Sequence, residues 1–244
     1  MAPKTAEELS QFVLPLFVPD DRHERPDRAG SCVLVRVFDR HFVVTARHVF
    51  GSLDRQTFFL GLQGARLIEF TVPGIYTVNG PPEDDVAVIP LSDTQLSRMT
   101  GLAFITEQFV EGEGDPPPLP GDEYIVFGFP DSNSQFKPDR RLKDIKQNSF
   151  YFQTVAKPPE VAARVGCSLE SHMFLKFDPE DISVAGKRYN PPNPRGISGG
   201  AAFRVVGETL RLVGIMTAHY KDHRTIVGVR MSEVIAIAEN IVKQ

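Results

Sequence analysis

The stretch "SCVLVRVFDRHFVVTARHVF", residues 31–50, decides how this chain is read. Two runs rich in Val and Phe flank a polar pair, and β-branched and aromatic side chains suit a pleated, half-buried surface. The pattern predicts a β-hairpin with a tight turn at Asp39-Arg40, closing in a short helical turn near His48. Outward from the hairpin the same texture continues. "TFFLGL" (57–62), "RLIEFTV" (66–72) and "DVAVIPL" (85–91) are short β-type runs separated by Gly, Pro and Asn, the spacing of a sandwich or barrel. "EYIVFGF", "SFYFQTV", "HMFLKF", "AAFRVV", "LRLVGIM" and "TIVGVRM" repeat that texture after residue 122.

Between the two sets lies "EGEGDPPPLPGD", whose acidic residues and prolines favour an extended connector that resists packing. Five segments follow: an amino-terminal helix and arm (1–29) with its helix around Ala6–Phe12, a first β-rich half (30–110), a connector (111–121), a second half (122–231) and a terminal helix (232–244). Ser232 is placed to cap that helix, with Val234, Ile235, Ile237 and Ile241 on the side facing the second half. "KPDRRLKDIKQ" (137–147) is the one dense basic cluster and reads as a solvated loop.

Composition narrows the function. The 244 residues carry a formal charge of -4, which gives phosphate backbones and anionic membranes no average attraction. Neither nucleic acid nor membrane is an expected partner. No apolar run reaches the 18 or so residues of a spanning helix, and the first 21 residues lack the pattern of an export signal. Cys32 and Cys167 stand far apart without metal-ligand spacing, which points to a reducing cytoplasm.

Chemistry concentrates in "PRGISGGAAF" (194–203). One hydroxyl among glycines and alanines packs no core, so a backbone requirement selects it. Serine is a weak nucleophile until a base takes its proton and donors receive the developing oxyanion. Ser198 is the candidate nucleophile, and the amides of Gly196 and Ser198 are candidate oxyanion donors. The base should be a histidine, whose ordinary pKa near 6.5 lets it accept and return a proton. His48, at the end of "VVTARH", sits where a side chain leaves a strand for a cleft. Asp85, opening "DVAVIPL", suits the carboxylate that orients the imidazole; Asp84 is its rival, and each residue alone is equally at home in an ordinary turn.

Together these residues resemble the trypsin-like serine peptidases. "TARH" at 45–48 is similar to that family's Thr-Ala-x-His, Asp85-Val86-Ala87-Val88 to its Asp-(Ile/Val)-Ala-(Leu/Val), and Gly196-Ile197-Ser198-Gly199-Gly200 to its Gly-x-Ser-Gly-Gly. "LVGIM" at 212–216 looks like the strand that lines its substrate cleft, and the order His, Asp, Ser is the family's own. The resemblance implies an all-β fold of two six-stranded antiparallel Greek-key barrels with a terminal helix, one barrel supplying His48 and Asp85, the other Ser198. It implies a serine endopeptidase acting on protein or peptide substrates, without metal or organic cofactor.

Pro192, Met216, Thr217, Ala218 and His219 fall at the substrate-binding positions. An acidic residue where Pro192 stands would select Lys or Arg, and a histidine where Met216 stands would select Glu; with neither, a small or apolar residue before the scissile bond is expected. Ile197 replaces the aspartate that secreted relatives pair with a freed amino terminus, so the resemblance is to the intracellular and bacterial branches, in which the enzyme folds active or is switched by a regulatory partner protein. A catalytically silent peptide-binding module and an esterase or acyltransferase with the same triad are the alternatives.

Overall fold

The computed structural model describes residues 6–19, 26–50, 57–62, 67–71, 76–77, 85–112, 114–116, 118–130, 149–180, 183–184, 187–188 and 193–244. After a short helix α1 (Ala6–Leu9), strands β1 (Val13–Val18), β2 (Asp27–Val37), β3 (Arg40–Ala46), β4 (Thr57–Gly61), β5 (Leu67–Thr71), β6 (Tyr76–Thr77) and β7 (Val86–Pro90) build the first half. Helix α2 (Asp93–Arg98) and strand β8 (Ile105–Thr106) lead out of it. The second half contains β9 (Glu123–Gly128), β10 (Phe150–Val155), α3 (Glu160–Val165), β11 (His172–Lys176), β12 (Ser183–Val184), β13 (Lys187–Arg188), β14 (Ala201–Val206), β15 (Thr209–Tyr220) and β16 (Thr225–Arg230), and α4 (Met231–Val242) ends the chain.

The first sheet runs β5-β4-β1-β2-β3-β7-β6, six main strands with the two-residue β6 at one end and β8 paired to β2. The second runs β10-β9-β14-β15-β16-β11. It closes where Ala156 bridges Leu175 and the Lys157 amide donates to the Phe174 carbonyl at 2.8 Å. Walking round either half meets its main strands in one order: first, second, third, sixth, fifth, fourth. This is the two-barrel, chymotrypsin-like architecture with a terminal helix that the motifs imply.

The near-continuous apolar runs of the 31–50 hairpin follow from burial on both faces. Val33, Val35, Val37, Phe42 and Val44 join one core cluster, whereas Cys32, Leu34, Val43 and Ala46 join another. The second cluster fills the first barrel. The first lies between the barrels, where these valines meet Phe127, Phe203, Leu212 and Ile215 from the opposite half. Phe150, Phe152, Phe177 and Met216 fill the second barrel. Fully burying one such side chain contributes about 1.5–3 kcal/mol, so the inter-barrel layer holds the halves in a fixed relation.

Several details differ from expectation. Residues Val13–Val18, read as part of an arm, form a fully buried strand between β2 and β4. Six consecutive apolar positions carry no period that separates a strand from other buried chain. The hairpin turn falls at Phe38-Asp39, not Asp39-Arg40, because Val37 pairs with Arg40. Both turn residues have positive φ, 51° and 56°, as a two-residue turn matching the strand twist requires.

Nor is the connector loose. Arg204, 1% exposed, lies 2.9 Å from Glu111 and donates to the Pro116 carbonyl at 2.6 Å, while Arg211 pairs with Asp115 at 2.9 Å. Burial pushes the Glu111 carboxyl above its ordinary range, against the pull of Arg204. Helix α4 begins one residue before Ser232, with Arg230 at the cap and no side-chain cap bond. Its Met231, Val234 and Ala238 are buried, with Ile235, Ile237 and Ile241 packed beside them. The helix lies against β7 of the first half as well as β15 and β16 of the second. Among the described residues no helix is long and apolar enough to cross a membrane. The basic cluster at 137–147 lies outside the described residues.

Candidate active site

Strand β3 delivers "TARH" to the barrel rim, where the chain turns into a 3-10 helix, Arg47–Phe50, and so lifts the His48 ring off the sheet. Asp85 immediately precedes β7, the strand paired with β3, and the register sets Ala46 opposite Val86. The carboxylate grips the histidine twice. Oδ1 accepts the His48 backbone N–H at 2.9 Å, and Oδ2 takes a short hydrogen bond from Nδ1 of the ring. The Arg47 amide also donates to the Asp85 carbonyl at 3.2 Å. A carboxylate has only acceptors to offer, so Nδ1 is the donor in this bond, and in the neutral ring the lone pair is then on Nε2. Nε2 bonds to no described residue, and the ring is half exposed while Asp85 is 21% exposed. Asp84 lies outside the described residues.

Ser198 arrives from the second half on a loop held at three of its amides. Ile197 donates to Pro194 at 2.9 Å, Gly199 to Met216 at 2.7 Å and Gly200 to Ile197 at 2.7 Å. The amides of Gly196 and Ser198, interleaved with these, bond to no described residue. Neither does the Ser198 hydroxyl, including to His48. Two free amides on one tight loop are what an oxyanion site needs. Catalytic hydrogen bonds are often long without substrate and tighten in the complex.

The seam between the halves passes through this loop. A Cβ added at Gly30 would fall 2.7 Å from the Ser198 carbonyl and 2.9 Å from Val49, the neighbour of His48. The serine's loop and the residue after His48 thus crowd the same side of Gly30, where no side chain fits. Gly199 is tighter still. Its φ is +82°, and an added Cβ would lie 1.9 Å from the Ser31 carbonyl and 2.2 Å from Thr45 Oγ1. Gly199→Ala is therefore expected to destabilise the fold by roughly 4 kcal/mol or more, read as the loss of unfolding free energy in urea. A cost below about 1 kcal/mol would mean that the loop is not pinned to β2.

Beside Ser198 opens a pocket of about 240 Å³, lined by Ile197, Met216, Thr217, Ala218, His219 and Ile226, with Asn193–Arg195 on one wall. Four of the expected substrate-binding residues are brought together here; Pro192 lies outside the described residues. Met216 is buried, its methyl group where a Cβ on Gly228 would be, 2.5 Å away, so it fills the floor. The β15–β16 register shifts between Met216 and Ala218, leaving Thr217 as the extra residue of a bulge that re-aims the strand at the pocket. His219 stands exposed at the rim with its ring edge-on to Phe177, centroids 5.1 Å apart. Desolvation, helped by Lys221, lowers its pKa from the ordinary histidine value. A larger depression at the hairpin tip, between Arg36–Asp39 and Thr106–Gln108, has no histidine, serine or cysteine among its described lining residues.

The residues that sequence reasoning missed are on the near side of the seam. Arg28 donates to the Phe129 and Pro130 carbonyls, and Ser31, fully buried, bonds to both halves. The available signal was a serine directly preceding "CVLVRV", a polar residue at the mouth of a two-sided core strand. Compared with protein-family models and with curated proteins, the chain matches none.

Proposed function

We propose that this chain is a serine endopeptidase of the trypsin-like kind, hydrolysing peptide bonds through an acyl-enzyme. The observation that carries the reading is the double grip of Asp85 on His48, which leaves Nε2 without a described partner, while the Ser198 loop of the other half carries two unbonded amides. In the proposed reaction Ser198 Oγ attacks the scissile carbonyl carbon as its proton passes to His48 Nε2. Asp85 stabilises the resulting imidazolium, and the amides of Gly196 and Ser198 donate to the oxyanion. Collapse breaks the C–N bond, the leaving amine takes the proton from Nε2, and water repeats the sequence on the ester. The chemistry requires no metal or organic cofactor.

The apolar pocket floor of Ile197, Met216 and Ile226 supports cleavage after a small or apolar residue. Two reduced cysteines, Cys32 buried and Cys167 partly so, support a cytoplasmic enzyme. The test is a fluorophosphonate probe together with cleavage-site profiling on a proteome-derived peptide library. The expected result is one phosphonylated residue, Ser198, and peptides cut after small or apolar residues. Folded protein that neither labels nor cleaves would support the peptide-binding alternative, and turnover of simple esters without any peptide cleavage the esterase one.

A further inference from the structure

Ser31 is 0% exposed, and every one of its polar atoms is used. Its N–H donates to the Ser198 carbonyl at 2.8 Å. Its Oγ donates to the Gly196 carbonyl at 2.9 Å and accepts the Phe129 amide at 2.9 Å. Its own carbonyl accepts from Thr45 Oγ1 at 2.6 Å, on β3 three residues before His48. Pro15, opposite Ser31 in the β1–β2 register, has no N–H to bring to that pairing, which suits a residue whose bonds run elsewhere.

One side chain and one amide therefore hold the carbonyls of the two residues, Gly196 and Ser198, whose own amides are unbonded. The Gly196 carbonyl shares its peptide plane with the Ile197 amide and the Ser198 carbonyl with the Gly199 amide. Fixing both holds the planes on either side of the one that carries the Ser198 amide, and the plane that follows the Gly196 amide, which limits how those two amides can turn. The Thr45 link extends the same chain of bonds to β3, the strand that leads into the turn carrying His48. From this we infer that Ser31 is a positioning residue that aligns the oxyanion loop of the second barrel with the histidine of the first. The inference rests on the acyl-transfer reading proposed above; Ser31 touches no substrate and carries no proton in it.

The test compares Ser31→Ala and Ser31→Thr with wild type, each confirmed as folded by circular dichroism and read well below its unfolding transition. For Ser31→Ala, kcat on a peptide substrate should fall about 10- to 100-fold with KM within about twofold of wild type, because misplacement of about an ångström costs that much. The second-order rate of phosphonylation at Ser198 should fall in parallel, and Ser31→Thr, which keeps the hydroxyl, should recover most of both. A merely structural serine would lower the unfolding midpoint without this split. Should Ser31→Ala fail to fold, Ser31→Cys, a weak donor in the same place, carries the same expectation. Wild-type kcat and labelling rate in folded Ser31→Ala or folded Ser31→Cys would overturn the inference alone. Wild-type protein unlabelled at Ser198 would overturn the acyl-transfer reading, and this inference with it.

Discussion

Ser198→Ala should lower kcat for peptide hydrolysis by about 10⁶-fold while leaving the unfolding midpoint and peptide affinity close to those of the wild type. The side chain is only partly buried and bonds to no described residue, so its loss opens no cavity and orphans no partner. The effect is large because a triad works as a unit: without the oxygen that forms the acyl bond, the base and its carboxylate have nothing to activate. Steady-state kinetics on the best peptide from the profiling decides the matter. A variant retaining more than about a thousandth of wild-type kcat would move the nucleophile elsewhere.

Asp85→Asn should cost about 10⁴-fold in kcat, again with the fold preserved. An asparagine Oδ1 still accepts the His48 backbone N–H, so the 3-10 turn keeps its anchor. Its NH₂ group, however, meets Nδ1 as a donor. That forces the ring proton onto Nε2, where the lone pair must be, and removes the negative charge that steadies the imidazolium. Substrate affinity should barely change, since Asp85 does not line the pocket beside Ser198. A loss of tenfold or less would show that the carboxylate holds the turn and does not tune the base.

How far the sequence reveals this arrangement depends on the range of the interaction that fixes each feature. The strands at 57–61, 86–90 and 225–230 were legible because Val, Phe and Thr clustered between Gly and Pro report local backbone preference. The three candidate site residues stand out because each sits in a short run with a recognisable spacing, and the structure brings His48 and Asp85 into contact. Val13–Val18 was not, since a strand buried on both faces loses the alternation that marks a strand. The hairpin turn slipped by one residue because cross-strand register, with Val37 opposite Arg40, overruled the turn preference of Asp39 and placed a phenylalanine at positive φ. The connector's acids and prolines predicted an extended segment that resists packing, yet Arg204 and Arg211, some ninety residues later in the chain, bind Glu111 and Asp115 to the second barrel. Ser31 was the least visible of all. Its four partners come from both halves, and no local pattern announces a contact 165 residues away in sequence.

The whole account depends on one imidazole and one hydroxyl meeting across the seam at Gly30. A crystal structure of the phosphonylated protein measures that meeting directly. The predicted result is a bond from phosphorus to Ser198 Oγ, the His48 Nε2 within about 3 Å of that oxygen, and a phosphoryl oxygen accepting from the Gly196 and Ser198 amides. A phosphorus bound to another residue, or bound to Ser198 with the His48 ring and both amides turned away from it, would contradict the account.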